Sequence, residues 1–160
     1  MTPSNSDSIS VTHLEKRFGN FVAVNKISFS VKKGEIFGFL GSNGSGKSTT
    51  IRMLCGIITP TSGGGTVAGH DIVTEAEEVK QSIGYMSQKF SLYEDLTPFE
   101  NLRFYLGVYN VPSSQWRERI DWVLNMTRLQ DARDRKTREL PPGWRQRLAL
   151  GCSLLHKPDI

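Results

Sequence analysis

The sequence has few of the features that mark secreted, metal-stapled or membrane-spanning proteins. Its two cysteines, Cys55 and Cys152, provide neither a disulfide framework nor a metal-ligand spacing, which favours a reducing, cytosolic compartment. No apolar run approaches the ~20 residues that cross a bilayer. The first ten residues have neither a basic start nor an apolar stretch, so they contain no recognisable secretory signal. What is left is a globular chain of one domain's size, with 160 residues, 38% hydrophobic and 22% charged.

The excess of positive charge is confined to one part of the chain. The net charge is +4, and residues 128–147 alone contain seven basic and three acidic residues, so the remainder is balanced. A surface that binds nucleic acid usually needs a broader basic stripe, and no nucleic-acid partner is expected. We interpret the run as a solvated helix face plus a loop, and keep an anionic partner, either phosphate or an acidic protein, as the alternative.

Hydrophobic patterning predicts a β-rich first half. Residues 9–13 and 24–31 alternate in the manner of half-buried strands, whereas residues 35–40 are apolar on both faces and predict a central strand. Turn signals and helical spacing then predict a helix at 47–55, a short hairpin strand at 66–72, a short helix at 75–81 and a strand at 83–86.

The remaining sequence divides into a leader and a mainly helical part. Residues 1–8 are predicted to be a flexible leader, with residues 9–94 forming the β-rich part and residues 95–160 the helical part. Three helices are predicted in this part. The first covers 98–109, the second begins after a cap at Ser113 or Ser114, and the third includes 148–155.

One glycine-rich segment matches the pattern G-x-x-x-x-G-K-[ST] in full. It comes directly after the predicted strand 35–40 and opens the predicted helix at 47–55. Its backbone N–H groups, together with the positive end of that helix, can form an anion site. Lys47 can reach the β- and γ-phosphates of a nucleotide, Ser48 can bind Mg²⁺, and Thr49 can add a phosphate contact. The candidate nucleotide-binding residues of this loop are Gly41, Ser42, Asn43, Gly44, Ser45, Gly46, Lys47, Ser48 and Thr49.

Two other interpretations of this loop fit less well. An ordinary glycine-rich turn with a solvated lysine would not require the full pattern at a strand-to-helix junction. A Rossmann dinucleotide fold would require G-x-G-x-x-G at this turn, which is absent, and would leave the Lys-Ser-Thr run without a role.

The sequences that flank the loop resemble an ATP-binding-cassette (ABC) ATPase. The matching segments lie in order along nearly the whole chain after residue 8, and they read LEKRFGNFVAVNKISFSVKKGEIFGFLGSNGSGKSTTIRMLCGIITPTSG, IGYMSQ, LTPFENL and LPPGWRQRLALGCSLLHKPDI. The chain looks most like the ATP-binding subunits of ABC-2-type drug-efflux exporters. The resemblance implies an α/β fold, with a P-loop NTPase core, an antiparallel β subdomain and a helical subdomain. It also implies that MgATP binding and hydrolysis are coupled to transport.

The resemblance assigns roles to further residues. Phe18 would stack on the adenine, and Val24 would form an apolar wall beside the base. Gln88 would be the glutamine that touches Mg²⁺ or its water and, with Lys47, would belong to the catalytic set. At the family's signature segment Pro141 stands where a serine is usual, so Gly143 and the helix start would make a weakened contact to ATP held by an opposite subunit.

The resemblance also implies a partial domain. In the family, the segment that ends this sequence leads into a further strand, called Walker B, which carries a Mg²⁺-supporting aspartate and is followed by a catalytic glutamate. Residues 9–160 are therefore expected to be an ABC ATPase domain truncated before the Walker B strand. We expect this chain by itself to bind ATP without hydrolysing it and to fold marginally.

The partners implied are a second ABC ATPase domain, separate or fused in tandem, and a transmembrane permease that docks near residues 88–108. The location implied is the cytoplasm, at the inner face of the cell membrane through that permease. Two alternatives remain open: a cytosolic ABC protein that acts on ribosomes or nucleic acid, and a non-catalytic remnant.

Overall fold

A computed structural model describes residues 7–87 and 92–160, and its described residues form two compact units. The first unit reaches Ile83 and includes Asp159–Ile160, and the second is Gly84–Pro158. The division thus comes earlier than the expected boundary after residue 94, and the first strand begins inside the expected leader, at Asp7. The assignment of residues 1–8, 9–94 and 95–160 to separate parts remains a prediction.

An antiparallel sheet of four strands organises the first unit. The strands are β1 (Asp7–Phe18), β2 (Phe21–Lys32), β3 (Ser62–Val67) and β4 (His70–Asp71), in the order β2-β1-β3-β4. Strands β1 and β2 form a hairpin in which Phe18 pairs with Phe21. The strands predicted at 9–13 and 24–31 are confirmed and are longer than the alternation indicated.

Two helices, α1 (Lys47–Leu54) and α2 (Ala76–Ser82), lie in the same unit and confirm the helices predicted at 47–55 and 75–81 to within a residue at each end. Their apolar residues join the buried face of the sheet, and burial of this surface is the main favourable contribution to folding. The buried core consists of Val11, Leu14, Val24, Met53, Leu54, Cys55, Val67, Ile72, Val79 and Ile83.

Two predicted strands are not formed, at 35–40 and at 83–86. A strand requires a hydrogen-bonded neighbour, and neither segment is paired in a sheet with any part of the chain that the structure describes. In the segment 35–40, one set of side chains still contacts the sheet, because Phe37 and Phe39 lie against Phe29 with ring centroids 5.2 and 5.5 Å away. On the opposite face Ile36 and Leu40 are 100% and 96% exposed.

Three helices form the second unit: α3 (Pro98–Val108), α4 (Trp116–Thr127) and α5 (Pro142–Leu154). Thr97 caps α3 by accepting a hydrogen bond from the Glu100 N–H, and the Glu100 carboxylate accepts one from the Thr97 N–H in return. These bonds hold the pKa of Glu100 below its usual range. The cap predicted at Ser113 or Ser114 is wrong, because both lie in a short 3₁₀ helix (Ser113–Gln115) and α4 has no side-chain cap.

A buried asparagine joins the helices of this unit to the neighbouring loops. Asn101 is fully buried on α3, where its amide donates to the carbonyls of Tyr93 and Thr97 and to the Thr137 hydroxyl at 3.0–3.1 Å. Its amide oxygen accepts from the Tyr93 N–H at 2.9 Å, so this buried polar group is satisfied. The surrounding apolar core includes Leu102, Leu106, Ile120, Val123, Leu124, Leu129, Leu148, Cys152 and Leu155. Among the described residues, no helix is long and apolar enough to cross a membrane.

Candidate functional site

The glycine-rich loop leads directly into the N-terminus of α1. Gly46 is the N-cap residue of this helix and has a φ of 87°. The Thr50 N–H closes the first helical turn by donating to the Gly46 carbonyl at 2.8 Å. The N–H groups of Lys47, Ser48 and Thr49 precede that bond, so the helix offers them no acceptor. Together with the positive end of the helix dipole, they form a set of donors suited to an anion.

Gly46 is also the point where the loop lies closest to the sheet. A Cβ atom built on Gly46 would stand 2.3 Å from the Ala23 carbonyl oxygen and 3.2 Å from Val24 Cγ2. Only a residue without a side chain fits this gap, and the positive φ independently favours glycine. Strand β2 therefore positions the start of α1, and with it the donors of the loop.

The ammonium group of Lys47 lies across the loop. Its Nζ donates to the carbonyl oxygens of Gly41 and Ser42, each at 2.7 Å, and reaches Ser45 Oγ at 3.4 Å. The positive charge is thus held at the same loop that presents the helix-terminal N–H groups. A phosphate chain placed there would meet a full cation in addition to backbone dipoles.

The next two residues differ in accessibility. Ser48 is exposed and Thr49 is half-buried, whereas Thr50 is buried. An exposed hydroxyl in the first turn can be one of the oxygen ligands of a Mg²⁺ ion whose other ligands include phosphate oxygens. The loop therefore fits both groups of MgATP: the backbone and Lys47 would hold the phosphates, and Ser48 would provide a ligand for the metal.

The residues expected around the adenine have different environments. Phe18 ends β1 with 53% of its surface exposed, and Lys16 Nζ lies 5.3 Å from its ring centroid. Val24 is 5% exposed and lies beneath Gly46, and its role as an apolar wall beside the base remains a prediction. Phe21, which the sequence analysis did not single out, pairs with Phe18 across the hairpin and is 64% exposed. The feature of the sequence that could have pointed to Phe21 is its position as an aromatic residue directly after the turn at Gly19 and Asn20.

The remaining candidates lie elsewhere in the chain. Gln88 is outside the described residues. Gly143 is exposed in the first turn of α5, and no atom lies within 4 Å of a Cβ built on it. Pro142 precedes it and has no N–H, so Gly143 is the first residue of this helix with a backbone donor. The next two N–H groups, of Trp144 and Arg145, donate to the Pro141 carbonyl at 2.9 and 3.1 Å.

A glycine-rich loop that opens a helix with Lys-Ser-Thr, set against a β-sheet, defines this chain as an α/β protein of the P-loop nucleotide-binding class. The chain belongs to the ABC transporter family, whose family model matches residues 24–160. That match extends from β2 through the loop and over the whole second unit.

Relatives in sequence are ATP-binding proteins of ABC transporters. The chain is 48% identical over 152 residues to "Probable multidrug ABC transporter ATP-binding protein YbhF" of Escherichia coli (strain K12), an alignment that covers 95% of this chain and 26% of the relative. It is 39% identical over 148 residues to "Linearmycin resistance ATP-binding protein LnrL" of Bacillus subtilis (strain 168), covering 92% of this chain and 48% of the relative. The chain therefore spans from about a quarter to about half of these curated relatives.

Solved structures of the same family share the fold. The chain is 25% identical to cbiO1 from Clostridium perfringens, described as part of the ABC transporter complex cbiONQ, with a TM-score of 0.83 over 96% of this chain and 63% of that one. A structure described as an ATP-binding subunit of an ABC transporter is 26% identical, with a TM-score of 0.82 over 94% of this chain and 62% of the other. The α/β P-loop assignment made from the sequence is therefore confirmed.

Proposed function

We propose that this chain holds MgATP at the loop 41–49 as part of the ATP-binding subunit of an ABC exporter. The observation that carries the proposal is the junction of loop and helix. Gly46 lies against β2, and Lys47 brings its ammonium over the same loop. A polyphosphate would accept hydrogen bonds from the helix-terminal N–H groups and pair with the Lys47 charge. When bound, Mg²⁺ would neutralise charge on the phosphate oxygens, with the Ser48 hydroxyl as one of its ligands.

The names of the relatives support export as the process that ATP binding serves. YbhF is named as a multidrug transporter protein and LnrL as a linearmycin resistance protein. We propose a transmembrane permease and a second ABC ATPase domain as partners, and a cytoplasmic location at the inner membrane face through the permease. Residues 88–108 are the proposed docking region for the permease. Phe18 would stack on the adenine, and Gln88 and Gly143 keep their proposed contacts to Mg²⁺ and to an opposing ATP.

The test compares ATP affinity in two variants that each remove one positive charge from α1. We expect Lys47→Ala to weaken MgATP binding at least about tenfold, because a charge-assisted hydrogen bond contributes about 1.5–3 kcal/mol. Arg52→Ala is the control, since Arg52 is exposed in the last turn of the same helix. Isothermal titration calorimetry gives the affinities, and thermal melting of each variant shows whether it is folded.

Equal affinities for Lys47→Ala and the unmodified chain, with both folded, would contradict the proposal. Phosphate release measured on the same samples tests the expectation that the 160-residue chain does not turn ATP over. We expect the release rate of the unmodified chain to match that of Lys47→Ala. Steady turnover that Lys47→Ala abolishes would show instead that these residues hydrolyse ATP unaided.

A further inference from the structure

A second concave site lies entirely within the helical unit. It is a cavity of about 490 Å³ between α3, the start of α4 and the segment after α4. This volume falls in the range typical of small-molecule sites. The side chains that decide its chemistry are Phe99, Arg103, Trp116, Arg117, Asp121 and Arg133, and we call it the arginine–aromatic pocket.

Two guanidinium groups in this pocket lie over aromatic rings. The Arg133 guanidinium carbon lies 4.2 Å from the Phe99 ring centroid. The Arg103 guanidinium carbon lies 5.8 Å from the same ring and 5.9 Å from the Trp116 ring. Stacking on a ring uses the face of a guanidinium and leaves its N–H edge available to an anion. At 4.2 Å Arg133 is close enough to Phe99 to stack, whereas Arg103 lies farther from both rings.

The pocket has more positive than negative charge. Asp121 is its one lining carboxylate, and the nearest approach of Arg117 to it is 4.0 Å. Arg133 Nε reaches a carboxylate of Asp134 at 3.9 Å, and that side chain is 85% exposed. In the two described stretches of chain, no carboxylate lies within 4.0 Å of a nitrogen of Arg103. Arg103 and Arg133 both approach the Phe99 ring, at 5.8 and 4.2 Å from its centroid, and neither charge has a closely paired carboxylate within the described part of the chain.

We propose that the arginine–aromatic pocket binds a small phosphorylated ligand that carries a flat ring beside its phosphoryl group. Arg103 and Arg133 can pair with a dianionic phosphoryl group, which offers three oxygen acceptors, whereas the Arg117 side chain is 96% exposed. Phe99 and Trp116 line the same cavity and provide apolar aromatic surface for the ring of the ligand. The site is built from residues of the helical unit alone and does not include the loop 41–49, although Phe99 and Arg103 lie inside the proposed docking region 88–108.

The test uses phenyl phosphate as the probe and Trp116 as the reporter. The Trp116 indole N–H donates to the Val111 carbonyl at 2.7 Å, so its NMR signal should be sharp and sensitive to changes in the pocket. Trp116→Phe identifies that signal among the three indoles. The whole chain carries Lys47→Ala in every sample, which weakens phosphate binding at the loop. Inorganic phosphate and a tetraglutamate peptide are titrated in parallel with phenyl phosphate.

We expect a saturable shift of the Trp116 signal with phenyl phosphate, at lower concentrations than with inorganic phosphate. Arg103→Gln and Arg133→Gln should each weaken binding about tenfold, because each removes a charge-assisted contact. Arg135→Gln removes the same charge from an exposed side chain outside the pocket and should leave the affinity unchanged. Arg103→Lys and Arg133→Lys keep the charge without the planar fork and should give intermediate affinities if they fold.

Three results would overturn the proposal. One is the absence of a saturable Trp116 shift with phenyl phosphate in the folded chain. Another is a loss of affinity in Arg135→Gln equal to that in Arg103→Gln, which would indicate attraction to general positive charge. The third is a shift with tetraglutamate alone, which would assign the pocket to an acidic protein segment instead.

Discussion

At the scale of single residues, the candidate site depends on one glycine that the sheet makes irreplaceable. Gly44 and Gly46 have nearly the same backbone conformation, with φ of 85° and 87°. Their surroundings differ, because a Cβ on Gly44 would meet nothing within 4 Å whereas a Cβ on Gly46 would stand 2.3 Å from the Ala23 carbonyl oxygen. Comparing substitutions at Gly44 and Gly46 therefore separates two contributions to the free energy of unfolding: that of a left-handed backbone and that of a steric clash.

We expect Gly44→Ala to lower the free energy of unfolding by about 1 kcal/mol, the usual cost of a left-handed non-glycine residue. Gly46→Ala should lower the free energy of unfolding further. It should also reduce nucleotide affinity, because β2 and the start of α1 must move apart to make room for the methyl group. Urea unfolding and ATP titration of the two variants measure both effects. Equal losses of stability would mean that the loop lifts away from Ala23 at little cost.

At the scale of elements, the segment 35–40 keeps the alternation of a strand without being paired in the described sheet. Phe37 and Phe39 contact Phe29 of β2, and Phe37 and Phe39 also meet each other edge to face at 5.2 Å. The other face presents Ile36 and Leu40 to solvent. Aromatic contacts on a single face therefore hold this segment against β2.

The two faces of this segment should respond differently to the same substitution. We expect Phe39→Ser to lower the free energy of unfolding by about 2 kcal/mol, because it removes a partly buried ring from the core. Leu40→Ser should change it by less than about 0.5 kcal/mol, as is usual for an exposed position. Denaturant titration of both variants gives the comparison. A loss in Leu40→Ser as large as that in Phe39→Ser would show that Leu40 is covered in solution.

At the scale of the whole molecule, the described chain contains two separate apolar cores with one cysteine in each. Cys55 is buried in the first unit, and burial raises its pKa to about 11. Cys152 is buried in the second unit, and burial raises its pKa further. Both thiols are therefore protonated and shielded near neutral pH, as is typical of inert core cysteines.

Labelling of each thiol should report the opening of its own unit. We expect iodoacetamide to react slowly at pH 8 with both single-cysteine variants, Cys55→Ala and Cys152→Ala, because the buried thiols form little thiolate. As urea increases, labelling should accelerate at different concentrations in the two variants, since cooperativity follows shared buried contacts. Mass spectrometry measures the rates. Coincident transitions would show that the two units unfold as one.

How far the sequence could predict this molecule depends on the range of the interactions involved. The P-loop pattern, the helices α1 to α3 and the presence of strands in β1 and β2 follow from local patterns, because spacing, caps and turns act over a few residues. Patterning could not reveal that 35–40 and 83–86 lack paired neighbours, since pairing is decided by distant segments. The prediction of a helix cap at Ser113 or Ser114 was wrong because these residues form a 3₁₀ helix instead.

The sequence by itself determined the family, the fold class and the glycine-rich loop that opens α1, because each is expressed in a contiguous pattern of residue types. Tertiary structure alone decided that Val24 lies beneath Gly46 and that Phe21 joins Phe18 at the exposed end of the hairpin. It also decided that Asn101 is buried with all its polar groups bonded, and that Arg103 and Arg133 both approach the Phe99 ring. Such contacts join residues far apart in the chain, and no local pattern records which of them will meet.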